Sequence, residues 1–362
     1  MQQVGILYDD IFIQHRTGSH PENEERLRAT LRILRQIDYW GDGRAPWITH
    51  LSPRQATVAE IQWCHSPALI SLAKERCEEA HKTSHQLFLD SFNSRYGETV
   101  ASPKSYDAAL HAAGGMFTAI DAIMKKQVVR AFNLCRPPGH HSDYAHARGF
   151  CYFNNIALAV NYLHKQHGLK KVAIFDFDAH AGNGTEDLIN QGHVPAETLM
   201  ISIHQHPDTL YTGTCYIGDI GIREHRGKIA NITLAPNSGH ESIQAAFSSV
   251  VLPLLHEFQP EFILISAGYD AHHNDQLTNL HFMEQSYTYM TEQLVAVADQ
   301  YAHSRMLCTL EGGYNLTALG NSIANTIAAM GDAVPPFAEP SIIADRPDIF
   351  AFTTDTVIPQ VR

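Results

Sequence analysis

Two periodicities of apolar residues alternate along the chain. Short, nearly continuous apolar runs rich in β-branched residues lie at 4–8, 128–134, 172–175, 199–204, 229–234, 262–267 and 305–310. Unbroken rather than alternating hydrophobicity is the mark of strands buried on both faces of a parallel sheet. Between most of them the spacing becomes helical. Residues 24–34 place Leu27, Leu31 and Leu34 on one face, with Ser19 or Asn23 available as a cap. Helices are likewise predicted over 68–80, 106–124, 186–190, 242–258, 281–298 and 319–330, and over 150–162 with Asn154 and Asn155 in the first turn. The 106–124 helix carries Ala108, Ala109, Ala112, Ala113, Gly114 and Gly115, small residues that let another element approach closely. Strands alternating with helices predict βαβ units, hence an α/β fold with a mostly parallel central sheet between two helical layers. Residues 41–60 mix turn signals with polar residues, and 87–102 read as a polar, aromatic loop. Past 334 the chain is Pro-rich, and an irregular surface tail is expected from about 335. No repeat or linker breaks the pattern, so residues 1–362 are expected to form a single domain.

The predicted strands end in unusual chemistry. One ends in Pro137-Pro138-Gly139-His140-His141. Another ends in Asp176, Asp178 and His180, alternate residues that would face one pocket if the strand continued. Others end in His204-Gln205-His206, in Ser266-Ala267-Gly268-Tyr269-Asp270 and in Glu311-Gly312-Gly313-Tyr314. Ligands of α/β sheets bind at the carboxyl ends of the strands, and apolar strands gain nothing from such endings in folding.

Asp178, His180 and Asp270 would supply two carboxylates and one imidazole, leaving an open metal position as in catalytic zinc sites. Zinc brings the pKa of bound water close to neutrality and polarises a carbonyl. His140 and His141 then read as acid and base for that water, with Asp176 and Asn183 as orienting partners for one imidazole each. Tyr314 could donate its hydroxyl to a developing oxyanion or simply pack over the Gly-Gly turn. Arg26 opposes the dipole of the helix it starts, and reads as a solvated side chain or one with a buried partner.

Composition narrows the setting. With 26 basic and 38 acidic residues the net charge is −12, which disfavours nucleic acid and anionic membrane surfaces and suits a cationic substrate or basic partner. None of the six cysteines forms a CxxC pair, and Cys135, Cys151 and Cys308 lie in or beside apolar runs, so free thiols in a reducing compartment are expected. MQQVGILYDD lacks the basic start and apolar core of a signal peptide, and no run is long enough to span a membrane, so a cytoplasmic location is expected.

Six motifs, HPENEERL, RPPGHH, GFCYFNN, FDFDAHAGNGT, SAGYDAH and EGGYN, together resemble the zinc-dependent histone deacetylase and acetylpolyamine amidohydrolase superfamily, class II-like branch, in family order over about residues 15–330. The resemblance implies an arginase-like α/β fold and one catalytic zinc on Asp178, His180 and Asp270. It implies that His141 is the general base and then the acid, with Asn183 behind it. His140 would stay largely charged beside Asp176, and Tyr314 would bind the substrate carbonyl. Gly149, Phe150 and Tyr211 would wall a narrow tunnel for an acylated alkylamine. A structural potassium ion near Asp176, Asp178, His180 and Ser202 is a further family expectation.

Three departures stand out. Ala181 replaces a usual histidine and would point away from the metal, altering packing. Tyr211 replaces a usual phenylalanine and adds a hydroxyl at the tunnel. Asp275-Gln276-Leu277-Thr278 replaces a usual Asp-Pro-Leu-Gly-like turn. Polyamine selectivity in the superfamily goes with a rim glutamate. Leu277 falls near that place and has no charge to pair with a distant ammonium, which favours acyl-lysine in a protein or peptide. Glu98 falls about where a rim aspartate holds the substrate backbone. An acetylpolyamine amidohydrolase, a two-metal hydrolase and a non-catalytic acyl-lysine binding module remain the alternatives.

Overall fold

The computed structural model describes residues 1–83, 87–90 and 97–361. Among these residues ten strands run in chain order: β1 Val4–Leu7, β2 Ile48–Leu51, β3 Leu87–Phe88, β4 Val100–Ala101, β5 Arg130–Asn133, β6 Val172–Asp176, β7 Thr198–Gln205, β8 Ile229–Leu234, β9 Phe262–Ala267 and β10 Met306–Leu310. The helices are α1 Glu25–Gln36, α2 Val58–Ile61, α3 Pro67–Thr83, α4 Ser105–Met124, α5 Asn155–His167, α6 Asn183–Asn190, α7 His240–Ala246, α8 Leu252–Phe258, α9 Glu284–Tyr301, α10 Leu316–Met330, α11 Pro347–Ala351 and α12 Ile358–Val361. A π-helical stretch joins α7 to α8 and another joins α11 to α12, so each pair is one continuous rod.

Eight strands form one sheet in the order β2-β1-β5-β10-β9-β6-β7-β8, with parallel neighbours throughout. β3 and β4 pair antiparallel as a separate small ribbon. The strands show why their sequences do not alternate. On β6, Val172 and Ile174 join one apolar cluster and Ala173 and Phe175 join the other. On β9 the split is Phe262 and Leu264 against Ile263, Ile265 and Ala267. Successive side chains point to opposite faces, so the two clusters are the two sides of the sheet. One is covered by α1 and α7–α10, the other by α3, α4 and α5.

The five strands with unusual endings are β5, β10, β9, β6 and β7, and in the sheet these are consecutive. Their carboxyl ends therefore form one unbroken stretch of rim.

The structure departs from the sequence reading in five places. The helix expected over 150–162 starts only at Asn155, where the Asn154 side chain caps it by accepting from the Ala157 N–H at 3.0 Å. Before it, Gly149 and Phe150 have φ values of 55° and 68°, which no right-handed helix accommodates. The 41–60 region holds edge strand β2 and short helix α2, and the loop expected over 87–102 contains β3 and β4, with 91–96 outside the described residues. The tail beyond 335 is irregular only as far as 346. From Pro347 it is helical and buries Val357 and Ile358 in the core. Proline favours the first helical turn, but the run of β-branched Thr353, Thr354, Thr356 and Val357 has weak helix propensity, so packing rather than local preference holds it. Finally, Arg26 is fully buried, not solvated: it bonds Glu22 at 3.0 Å and the backbone oxygens of Gly313 at 2.7 Å and Glu311 at 2.6 Å.

Candidate active site

Within this rim β6 stops at Asp176, and the chain turns through 177–182 before α6. The turn, not strand alternation, brings Asp178 and His180 together. Asp270, just past β9, completes the group. His180 Nδ1 lies 3.1 Å from Asp178 Oδ1 and 3.0 Å from Asp270 Oδ2. Each carboxylate is fixed by backbone N–H groups: Asp178 accepts from His180 at 2.9 Å and Gly312 at 2.8 Å, and Asp270 accepts from Ala179 at 2.8 Å. Gly312 is glycine for a steric reason, since a Cβ there would run into both carboxylates.

This donor set fits a divalent cation. One ligand atom from each of Asp178, His180 and Asp270 lies within 4.8 Å of the others. Burial and the charge on Asp178 push the Asp270 carboxyl up to about 7. Burial opposes a charge on His180, yet Asp270 and Asp178 raise it to about 10. Two buried carboxylates converging on one imidazole need a compensating positive charge, and a metal ion would supply it while leaving the imidazole neutral. Asp176, expected from strand alternation to face the same pocket, sits one layer behind.

The two histidines after β5 are held differently. His140 Nδ1 is 3.0 Å from Asp176 Oδ2. Burial disfavours its charge, but Asp178, Asp176 and Glu311 outweigh this and raise it to about 10. His141 Nδ1 is 2.8 Å from the Asn183 side-chain oxygen. Burial first, then the charges of His140 and His180, lower its pKa well below the ordinary value. A hydrogen bond to an amide oxygen puts the proton on Nδ1 and leaves the lone pair on Nε2. Glu311 anchors the pair from below, accepting from the Gly139 N–H at 2.7 Å and the His140 N–H at 3.1 Å. Burial, partly offset by His140 and these N–H groups, pushes its carboxyl up to about 7.

A cavity of about 220 Å³ opens above this group. Its lining includes every expected wall and rim residue, Gly149, Phe150, Tyr211, Leu277 and Glu98, together with His140, His141, Asp178, His180 and Tyr314. Pro138, Leu210 and Gly312 also line it, and the sequence reading did not single them out. The Tyr211 ring meets the His141 ring edge-on at 5.3 Å, and Phe150 meets Tyr314 at 6.0 Å. His20 packs edge-on against Phe150 at 4.4 Å, so the segment before α1 supports the wall.

Tyr314 is placed by its backbone. Asp275 accepts from the N–H of Tyr314 at 2.6 Å and of Asn315 at 3.0 Å. The Arg26 guanidinium lies 5.2 Å from the Tyr314 ring centre. Burial, with Asp270 next, raises the phenol well above its usual range, so it stays a donor. Arg26 and Arg136 both grip buried Glu22. Leaving one such buried charge unpaired would cost about 3–5 kcal/mol, so the HPENEER segment locks the turn after β10 to the turn after β5.

Not every polar ending reaches the cavity. His204 is buried between the Ser202 hydroxyl at 2.8 Å and the Cys215 carbonyl at 3.0 Å, and burial lowers its pKa to about 4. Gln205 bridges Thr209 and the N–H of Asn279, steadying the segments that carry Tyr211 and Leu277. Ala181 is buried.

Among the described residues two further groups come within metal-ligand reach, and their chemistry is poorer. His140, Cys151 and Glu311 include a thiol that burial holds well above its usual pKa, hence protonated. In the group of His272, His273 and Glu339, His272 Nδ1 accepts from the Asn274 N–H at 3.1 Å, which commits its proton to Nε2, facing Glu284 at 3.2 Å. All six cysteines are free and buried. No helix of the described residues is long and apolar enough to cross a membrane.

The sequence and the fold have known relatives. A family model described as the histone deacetylase domain matches residues 20–330, and the chain belongs to that family. A probable deacetylase of Archaeoglobus fulgidus is 34% identical, covering 90% of this chain and 86% of its own length. The chloroplastic histone deacetylase 14 of Arabidopsis thaliana is 32% identical over 92% of this chain and 78% of its own. Human polyamine deacetylase HDAC10 is 31% identical over 94% of this chain, which spans 48% of that protein. The crystal structure of the HDA15 HD domain superposes with a TM-score of 0.84 at 29% identity, covering 99% of this chain and 94% of that one. The fold is therefore the arginase-like α/β fold, and the family is one of hydrolases that remove acyl groups.

Proposed function

We propose that this protein is a zinc-dependent lysine deacetylase that hydrolyses the amide of acyl-lysine side chains in proteins or peptides. The observation that carries the reading is the unequal treatment of two adjacent imidazoles beside a metal-competent trio. His140 faces a carboxylate and His141 an amide oxygen.

Asp178, His180 and Asp270 would hold one zinc ion, whose chemistry when bound is to activate water and polarise the amide carbonyl. His141 takes the proton of the attacking water at Nε2, because its Nδ1 proton is committed to Asn183, and later returns it to the departing amine. His140 keeps its charge beside Asp176 and stabilises the negative charge that develops as the amide is attacked. Tyr314 donates its hydroxyl to the carbonyl oxygen as it becomes an oxyanion. Phe150 and Tyr211 flank the acylated chain and exclude water from the site. Leu277 at the rim offers no partner for a distant ammonium, and Glu98 stands at the mouth, where a peptide backbone N–H would meet it.

The acetylpolyamine reading has its own support, since one similar human protein is named a polyamine deacetylase. A panel of acyl-lysine peptides and acetylpolyamines, assayed with chelated and then zinc-reloaded protein, separates the two. Hydrolysis of the peptides, lost on chelation and recovered with zinc, is expected. Much faster cleavage of acetylputrescine or acetylspermidine would reverse the substrate assignment. Two manganese ions per chain would replace the mechanism with a two-metal one.

A further inference from the structure

The geometry points to Arg148 as a positioning residue for His141, joining the backbone of that histidine, helix α6 and the corner of the tunnel wall into one unit. This rests on the reading of His141 as the proton acceptor.

Arg148 lies outside the residues that line the catalytic cavity, yet it joins three elements that define it, two through its guanidinium and one through its backbone carbonyl. Nε donates to the backbone carbonyl of His141 at 3.0 Å. Nη2 donates to Asp187 Oδ2 at 2.6 Å and lies 3.2 Å from Asp143 Oδ2. Asp187 is on α6, four residues after Asn183, and residues so spaced share a helix face. Asn183 in turn holds the His141 ring at Nδ1. The ring and the main chain of His141 are thus both tied to α6, the first through Asn183 and the second through Arg148 and Asp187. The first turn of α6 lies so close to His141 that a Cβ at Gly184 would overlap the main chain of His141.

The third element is the wall. The Arg148 carbonyl accepts from the Cys151 N–H at 3.0 Å, closing the turn that holds Gly149 and Phe150 at positive φ. At Gly149 a side chain would strike the His141 imidazole, so wall and ring are in direct contact. A shift of Arg148 would move the ring, the helix and the wall relative to one another.

The plain alternative is an ordinary surface ion pair. Side-chain exposures of 31% for Arg148 and 44% for Asp187 make the pair a weak contributor to stability. That weakness favours a role in placement, because the bond to the His141 carbonyl has no counterpart in a simple surface pair. A misplacement of about 1 Å at a catalytic group can cost roughly 100-fold in rate.

The test is a steady-state comparison of R148M and R148K, each in the otherwise unchanged full-length protein and in N183A, using the zinc-loaded enzyme and an acyl-lysine peptide. R148M is expected to lower kcat about 10- to 100-fold, with KM, zinc content and Tm little changed. R148K, which can reach Asp187 but lacks the second donor for the His141 carbonyl, should fall between. In N183A, where the ring has already lost its tie to α6, the added cost of R148M should largely vanish. An unchanged kcat, or an equal loss in both backgrounds, overturns the assignment. If R148M does not fold, R148K against N183A/R148K decides by the same criterion. Inactive wild-type protein overturns the deacetylase reading and this role with it, whereas active wild type matched by R148M and R148K overturns only the role of Arg148.

Discussion

The two ends of the same parallel strands make opposite use of polar residues. At the amino ends, Glu261 precedes β9 and accepts from the N–H groups of Lys170 at 2.7 Å and Lys171 at 2.9 Å, just before β6. Lys228 and Glu197 form a loose exposed pair nearby. These charges stay wet and tidy the starts of strands. At the carboxyl ends, Asp176, Asp178, Asp270 and Glu311 are each at most 1% exposed, and each is answered by an imidazole or a backbone N–H aimed at it. Arg130, at the start of β5, is the buried exception at the amino ends, and it is answered by Asp299. Burying four carboxylates side by side is costly, and a hollow above them is what the arrangement gains.

The largest test of that contrast is His141→Ala. If His141 is the proton acceptor as proposed, its loss is expected to lower kcat about 10²- to 10⁴-fold while zinc content stays intact. Measured zinc loss, or near-normal turnover, would show that the two histidines do not divide the work as their partners suggest.

A buried carboxyl beside the site but outside it should behave differently. Glu186 on α6 faces Asn231, Cys215, Asp219 and Asp187, and burial pushes it from its ordinary 4.5 up to about 7. The folded protein therefore keeps a proton that the unfolded chain releases. Its contribution is fully favourable below pH 4.5 and is lost as pH rises through 7, at about 1.4 kcal/mol per unit or roughly 3 kcal/mol in all. Glu186→Gln should leave Tm unchanged near pH 4.5 and raise it at pH 8, as followed by thermal melts across that range. A parallel offset at all pH values would mean that its proton is not what matters.

The smallest effect belongs to the amino ends. Glu261→Gln should change stability by about 0.5 kcal/mol or less and leave kcat unaltered, as denaturant melts and the same assay would show. A loss of activity there would erase the contrast between the two ends.

Much of this was legible in the sequence. Strand positions followed from unbroken apolar runs, because a strand covered on both faces has no polar side to interrupt it. The candidate ligand and histidine residues followed from polar clusters placed where apolar strands end, and the resemblance supplied the roles proposed for them. What escaped notice depended on distant partners. Arg26 looked solvated because its partners, the carbonyls of Glu311 and Gly313, are nearly three hundred residues away. The start of α5 was misplaced because Gly149 and Phe150 take positive φ to form a wall, against the helical spacing that follows. The C-terminal helix was missed because tertiary packing overrides the weak propensity of its β-branched residues.

By itself the sequence determined the doubly covered strands, most of the long helices and which side chains are chemically unusual, since these are local properties of spacing and residue type. Only the tertiary structure decided that β5, β10, β9, β6 and β7 lie side by side, so that endings scattered over nearly two hundred residues share one rim. It alone decided that a turn rather than a strand brings Asp178 and His180 together, with Asp176 one layer back. The reason is that strand order and loop path are set by which apolar faces cover one another across the whole chain, and no local window of sequence contains that information.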